Sequence, residues 1–220
     1  MVKAVIFDMD GVLIDTVELG LAVRKQLLAR YDVDLDTVPD PQGEGHRAAS
    51  LKHLLASVES SYGIDIDPDE FAKLSIEHMR SSLHKHVKSA DPGLVTFLDE
   101  LKEHNIPCAI ASSSLRAGIE TKLEVLGIKD YFTVIVTGSD VTKHKPNPEV
   151  YLRVIADLHI PPEACVIFED SLTGVQAGRA AGCKVVGFTQ YNPPKTPLPD
   201  VCLTVKNWSE ISYKQLQHIG

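Results

Sequence analysis

The pattern of apolar and polar residues predicts a buried strand at the start of the chain, followed at once by two acids. Residues 5–7 are apolar and lead directly to Asp8 and Asp10, so we predict a strand over about residues 3–7. Side chains two residues apart on an extended segment point to the same side. The two carboxyl groups are therefore expected to emerge together at the carboxyl end of this strand.

The next seventy or so residues follow a helical pattern. Helical periodicity begins at Val17 and continues, with interruptions, to about residue 85. Prolines and glycines in residues 36–45 break it, and two further helices are predicted over 46–62 and 68–85. This stretch is expected to be all-helical.

From Asp91 onward the pattern alternates between helix and strand. The predicted elements are a helix over 91–104, a strand over 107–111, a helix from 115 to 127, a strand over 132–137, a helix over 147–159, a strand over 165–168, a helix over 173–181, and strands over 184–188 and 201–205. Such alternation predicts parallel strands joined by right-handed crossovers. The expected fold class is α/β, with a Rossmann-like doubly wound parallel sheet.

The first strand belongs to a sheet that is completed only after residue 90. The helical stretch is therefore expected to be an insertion into the sheet domain. We predict a Rossmann-like core formed by residues 1–16 and 88–220, and a helical insert formed by residues 17–87.

Composition and charge narrow the choice of partners. Hydrophobic residues make up 44% of the 220-residue chain and charged residues 24%, which is the balance of an ordinary globular protein. The formal net charge of −8 disfavours broad attraction to nucleic acid or to an anionic membrane. We find no apolar stretch of membrane-spanning length, so a cytoplasmic enzyme acting on a small molecule is expected.

The cysteines are predicted to be structural. Cys108, Cys165, Cys183 and Cys202 each lie in or beside an apolar run, and no C-x-x-C pair occurs. Buried reduced thiols are therefore expected, with a metal or disulfide set as the alternative.

Two acidic pairs suggest a cation site. Asp8 and Asp10 would repel each other unless a cation, a shared proton or a phosphoryl group lay between them. A second pair, Glu169 and Asp170, follows a later predicted strand. Open α/β sheets bind ligands at the carboxyl ends of their strands, and Mg²⁺ prefers octahedral oxygen ligands at about 2.1 Å. Either pair alone would more often be a solvated loop.

Hydrogen-bond donors occupy two other strand ends or helix starts. Ser112 and Ser113, in a run of three serines, follow the second predicted strand, and Lys145 comes just before a later helix. Hydroxyl and ammonium groups can bind the oxygens of a phosphoryl group. The alternatives are that a serine caps the helix predicted from Leu115, and that Lys143 takes the place of Lys145.

These motifs carry a family resemblance. Residues 8–16 read DMDGVLIDT and resemble the nucleophile loop of the haloacid dehalogenase superfamily, most of whose members are magnesium-dependent phosphatases. The order of the motifs, DxD, then serine, then lysine, then Glu-Asp, is similar to that of the family. The position of the helical insert resembles the cap of the subgroup that contains β-phosphoglucomutase and phosphoglycolate phosphatase.

The resemblance implies a role for each motif in phosphoryl transfer. Asp8 would be the nucleophile that forms an aspartyl phosphate. Asp10 would give a proton to the leaving group and later take one from water, which requires its carboxyl group to be neutral while Asp8 is ionised. Ser112, together with Lys145, would bind the phosphoryl group, with the neighbouring Ser113 and Ser114 as alternatives to Ser112.

The resemblance also implies a Mg²⁺ cofactor. Asp8, Asp170 and the backbone carbonyl of Asp10 would be its ligands, with room left for water and a phosphate oxygen. Glu169 is expected to orient a lysine or the metal, and direct ligation by Glu169 is the alternative.

Departures from the mutases bear on the reaction. Aligned without gaps from the first acid, Gly20 and Arg24 stand where the mutase relatives have a histidine and a tryptophan, and the motif over residues 43–50 lacks their lysine. Arg47 in that motif is a candidate cap residue for a second anionic group on the substrate, or else a solvated helix arginine.

The sequence thus favours a phosphatase of a small phosphorylated metabolite, such as a sugar phosphate or a phosphoglycolate-like acid. The alternative within enzymes is a sugar-phosphate mutase similar to β-phosphoglucomutase. The alternative from another class is a catalytically silent binding or regulatory protein on the same fold.

Overall fold

The structure is a computed structural model, and it describes residues 1–40, 46, 51–87, 89–194 and 196–219. The chain divides into two compact units. The first unit comprises Met1–Asp15 and Val87–Gly220, and the second comprises Thr16–His86.

The first unit is built on a parallel sheet. The strands in the described part of the chain are β1 (Ala4–Phe7), β2 (Cys108–Ala111), β3 (Phe132–Val136), β4 (Cys165–Glu169), β5 (Lys184–Phe188) and β6 (Leu203–Val205). Their order across the sheet is β3-β2-β1-β4-β5-β6, and every pairing is parallel. The predicted doubly wound α/β fold is confirmed.

The strand order places β1 at the centre of the sheet. After β1 the chain builds outward through β2 and β3, and it then returns to the other side of β1 for β4. Phe7, the last residue of β1, pairs with Ile110 on β2 and with Phe168 on β4. Ligand sites of open α/β sheets lie at such a reversal of strand order, beyond the carboxyl ends of the strands. Asp8 follows Phe7 at this point.

Helices cover the sheet of the first unit. They are α4 (Pro92–Glu103), α5 (Arg116–Leu126), α6 (Glu149–Leu158), α7 (Leu172–Ala180) and α8 (Tyr213–Gln217). α4 begins as predicted, because the side chain of Asp91 accepts a hydrogen bond from the N–H of Gly93 at 2.8 Å. Buried aromatic residues form part of the core, with Phe7 and Phe168 stacked 5.4 Å apart and Trp208 packed 4.4 Å from Phe188.

The regular elements in the described residues of the second unit are all helices, as the sequence predicts for this stretch. Its helices are α1 (Val17–Leu28), α2 (Leu51–Tyr62) and α3 (Pro68–His86). They share an apolar core that includes Leu27, Leu54, Val58 and Phe71. The hydrophobic effect of burying this core stabilises the unit.

Some local predictions are wrong. No serine side chain caps α5, because its N-cap residue is Leu115 and no side-chain hydrogen bond caps that end. Cys202 is exposed, whereas Cys108, Cys165 and Cys183 are buried free thiols as predicted.

Among the described residues, none of the helices combines the length and apolar character needed to cross a membrane.

Candidate active site

Asp8 is held at the end of the central strand. Its N–H donates to the carbonyl of Phe168 at 3.0 Å, which ties the segment after β1 to β4. Its carboxylate accepts a hydrogen bond from Lys145 Nζ at 2.7 Å. Asp8 is 8% exposed, so it is a buried acid.

Lys145 connects the acids of two strands. Its Nζ donates to Asp8 Oδ1 at 2.7 Å, to Glu169 Oε1 at 2.6 Å and to the carbonyl of Ala111 at 3.1 Å. An ammonium group has three N–H donors, and these three contacts can occupy them all. The ammonium also lies 4.9 Å from the centroid of the Tyr151 ring, a cation–π contact that adds to its binding. Lys145, not its rival Lys143, is thus the lysine at Asp8.

Glu169 is fixed by its surroundings. Oε1 accepts hydrogen bonds from Lys145 and from the hydroxyl of Tyr151. Oε2 accepts from the N–H of Asp170 and from Ser171 Oγ, both at 3.2 Å. A Cβ atom at Gly174 in α7 would overlap this carboxyl group, so the glycine allows the close approach. These contacts suit a residue that orients its neighbours.

Asp170 faces the loop after β1. Its Oδ2 accepts a hydrogen bond from Asn192 Nδ2 at 2.9 Å. Gly11 has a φ of +87°, and a Cβ there would overlap the Asp170 carboxyl group. Glycine is therefore required at position 11 both by backbone conformation and by space.

Three carboxyl groups meet at this edge of the sheet. One carboxylate oxygen each from Asp8, Glu169 and Asp170 lies within 4.8 Å of the others. Burial raises the pKa of Asp8 to about 7, against the opposing effect of Lys145, and the charge of Glu169 raises it further. Burial and the charges of Glu169 and Asp8 likewise raise the pKa of Asp170 well above its usual value. One ammonium does not balance three carboxylates, so the cluster favours a cation.

Lys145 keeps its charge despite burial. Burial opposes the ammonium form, but the carboxylates of Asp8 and Glu169 outweigh it and raise the pKa of Lys145 above its usual value. The ammonium group is thus available to neutralise the carboxylate of Asp8.

Asp10 is bound by different partners. Lys122 Nζ lies 2.5 Å from Asp10 Oδ1 and 2.7 Å from Oδ2, and Ser114 Oγ donates to Oδ2 at 2.8 Å. The sequence motifs did not identify Lys122. A signal was nevertheless present, because Lys122 lies on the apolar face of α5 between the buried residues Ile119 and Leu126.

The serine run forms the turn after β2. Ser112 is buried, and its Oγ accepts a hydrogen bond from the N–H of Ser114 at 3.1 Å. The carbonyl of Ser113 packs so close to Gly138 that a Cβ there would overlap it. Ser112 and Ser113 therefore lie at the end of the strand beside β1, and phosphate binding by them remains a prediction. Arg47 lies outside the described residues.

Comparison with known proteins identifies the family of the chain. The profile of the haloacid dehalogenase-like hydrolase family matches residues 5–188. The chain is 32% identical over 186 residues to the phosphorylated carbohydrates phosphatase of Thermotoga maritima, which covers 82% of this chain and 82% of that protein. It is 31% identical over 197 residues to the β-phosphoglucomutase of Bacillus subtilis, covering 87% and 85% of the two chains.

Another relative is much longer, and a solved structure shares the fold. The chain is 33% identical over 197 residues, 89% of its length, to the bifunctional riboflavin kinase/FMN phosphatase of Arabidopsis thaliana, and spans 50% of that protein. The structure of CbbY from Rhodobacter sphaeroides in complex with phosphate superposes with a TM-score of 0.85 at 22% identity, covering 99% of this chain and 100% of that one. By its matched profile and its relatives, the chain belongs to the haloacid dehalogenase-like hydrolase family.

Proposed function

We propose that this protein is a magnesium-dependent phosphatase that hydrolyses a small phosphorylated metabolite through an aspartyl phosphate on Asp8. The observation that carries the proposal is the contact between Asp8 and Lys145 within the acidic cluster at the carboxyl end of β1. The relatives from Thermotoga and Arabidopsis are both named as phosphatases, and these names support the proposal.

In the proposed reaction Asp8 acts first. A carboxylate oxygen of Asp8 attacks the phosphorus, the bond from phosphorus to the leaving oxygen breaks, and Asp10 gives that oxygen a proton. Water then attacks the phosphorus of the aspartyl phosphate while Asp10 takes a proton from the water. Inorganic phosphate leaves and the Asp8 carboxylate is restored. Lys145 holds Asp8 in place and offers its positive charge to the phosphoryl oxygens.

The donor set fits Mg²⁺. Asp8, Asp170 and the backbone carbonyl of Asp10 would hold the ion, all of them hard oxygen ligands. Glu169, fixed by Lys145 and Tyr151, would orient the lysine, with direct ligation as the alternative. When bound, the ion supplies positive charge that stabilises the phosphoryl oxygens during transfer.

We expect chelation to silence the enzyme and Mg²⁺ to restore it. Phosphate release is measured on protein treated with EDTA and desalted, and then during titration with MgCl₂. Asp170→Asn, which removes one charged ligand, is expected to need at least about tenfold more Mg²⁺ for half-maximal rate. Asp157→Asn, an exposed change on α6, is the matched control. Full activity after exhaustive chelation, or activation by zinc alone at this site, would contradict the metal assignment.

The substrate class is proposed from the names of the relatives. Sugar phosphates and phosphoglycolate-like acids are the first choice, and residues 17–87 are proposed to act as the cap that selects among them. Arg47 is proposed to contact a second anionic group of the substrate. A sugar-phosphate mutase is the second candidate, favoured by the similarity to the Bacillus β-phosphoglucomutase. Gly20, in place of the mutase histidine, argues against it.

Stoichiometry separates hydrolase from mutase. In a screen of phosphorylated metabolites with Mg²⁺ present, we expect free phosphate to appear at the rate at which the substrate disappears. This is because no group at position 20 assists transfer to a sugar hydroxyl. Phosphate is measured colorimetrically and sugar phosphates by ³¹P NMR in the same samples. Isomerised sugar phosphate without matching phosphate release would favour the mutase. No turnover of any compound would favour the silent binding protein.

A further inference from the structure

Lys122 is a buried lysine that has no role in the proposed reaction as described above. It lies on α5, is 4% exposed, and contacts both carboxylate oxygens of Asp10 at 2.5 and 2.7 Å. Asp10 lies 112 residues earlier in the chain, in the loop after β1. The pair thus joins a helix to the loop that carries the nucleophile.

Fold stability does not explain this lysine. Its neighbours on the inner face of α5, Ile119, Leu123 and Leu126, are buried and apolar. A buried ion pair often contributes no more to stability than apolar residues of similar size, because both charges lose their hydration. An apolar side chain at position 122 would continue this face at no desolvation cost.

The geometry of the contacts suggests a positioning role. The torsion that turns an aspartate carboxyl group about its own axis has a broad energy profile, so only external contacts can fix the plane of the group. Lys122 reaches both oxygens and Ser114 Oγ reaches Oδ2 at 2.8 Å. Three hydrogen bonds from two side chains, Lys122 and Ser114, thus hold the Asp10 carboxyl group in one orientation.

We propose that Lys122 is the positioning residue of Asp10, aiming its carboxyl group at the leaving oxygen and at the attacking water. This inference rests on the proposed phosphatase function. Lys122 makes no bond to substrate and acts only through Asp10. A misplacement of about 1 Å can lower the rate by about 10²-fold. The rate gained by holding the Asp10 carboxyl group in position therefore gives a reason for burying a lysine beside it.

Lys122→Met tests the inference, because methionine is unbranched and apolar and suits a buried helix face. The first turnover is followed by rapid quench with an alkyl phosphate, whose leaving group needs a proton, and with p-nitrophenyl phosphate, whose leaving group does not. We expect the alkyl rate to fall by about 10- to 100-fold and the aryl rate by less than about threefold. Equal losses on both esters, or no loss on either, would overturn the inference.

A double-mutant cycle shows whether Lys122 acts through Asp10. On the alkyl ester, Lys122→Met is expected to cause no further loss when added to Asp10→Asn, because residues that act as a unit are not additive. Losses that multiply would show that Lys122 acts elsewhere and would overturn the inference. Lys184→Met is the matched control, since Lys184 is a partly buried lysine of the same unit that donates to the carbonyl of Ile219 at 2.8 Å. Its rates are expected to equal those of the wild type.

Two further measurements, thermal unfolding and chemical rescue with an added amine, separate loss of the Lys122 side chain from loss of the fold. Thermal unfolding is measured for each variant, and Lys122→Gln, which keeps a donor, replaces Lys122→Met if the latter does not fold. Lys122→Ala is assayed on the alkyl ester with and without ethylammonium chloride. The added amine is expected to raise the rate of Lys122→Ala by at least about threefold, and to leave the rate unchanged when Asp10→Asn is also present. Absence of rescue in a folded Lys122→Ala protein would count against the inference. Failure of the proposed function would give a different result, because the wild-type protein would then release phosphate from neither ester.

Discussion

Asp8→Asn is expected to lower phosphate release by about 10⁴-fold or more, because an amide cannot form the aspartyl phosphate. The side chains of aspartate and asparagine have the same shape, and the amide oxygen can still accept the hydrogen bond from Lys145. The variant is therefore expected to fold. Turnover is measured on the best substrate of the screen, with thermal unfolding on the same preparation.

Covalent trapping provides an independent readout for Asp8. Wild-type protein quenched during turnover and treated with borohydride is expected to be modified at position 8, as seen by peptide mass spectrometry, and Asp8→Asn is not. Asp157→Asn again serves as the exposed control. Phosphate release by a verified Asp8→Asn protein within tenfold of the wild-type rate would remove Asp8 from the proposed role.

Lys145→Met is the second change with a large expected effect, on both stability and activity. It leaves the buried carboxylates of Asp8 and Glu169 without their cation and the carbonyl of Ala111 without its donor. Breaking a buried pair in this way typically costs about 3–5 kcal/mol. The free energy of unfolding is expected to fall by this amount in urea titrations, and turnover by at least about 10²-fold.

A second substitution separates the two effects. Lys145→Met combined with Glu169→Gln removes one charge of each sign, so we expect it to recover part of the lost stability without recovering turnover. Lys143→Met, an exposed change in the same loop, is the matched control and is expected to leave both quantities unchanged. If Lys143→Met abolished activity and Lys145→Met did not, the assignment of the phosphate-binding lysine would be reversed.

Much of the sheet and of the site could be predicted because the signals are local. Periodicity and turn residues identify a strand or helix from its own residues. They located the helix starting after Asp91 and the strand before Glu169, and they placed Asp8 and Asp10 at the end of the first strand. The wrong predictions concern which partner a side chain contacts, because that depends on neighbouring residues in the folded structure. The serine run lies before a helix, yet Ser112 bonds within its own turn, and Leu115 is the N-cap residue instead.

The sequence by itself determined the alternation of helix and strand after residue 90, the helical insert, and the order of the motifs that contain Asp8, Asp10, Lys145 and Asp170. Only the tertiary structure decided how these side chains pair. β4 extends through Glu169, and successive strand residues point to opposite sides. Glu169 therefore meets Tyr151 and Lys145, while Asp170 meets Asn192.

The clearest case is the ion pair between Lys122 and Asp10, which no motif indicates. Residues separated by 112 positions meet only when the crossover from β2 to β3 lays α5 against the sheet. The energy of such a contact depends on burial and on the distances between charges, and neither quantity can be read from the spacing of residues along the chain. Local patterns therefore determine which groups stand at the strand ends, and long-range packing determines which cation faces which acid.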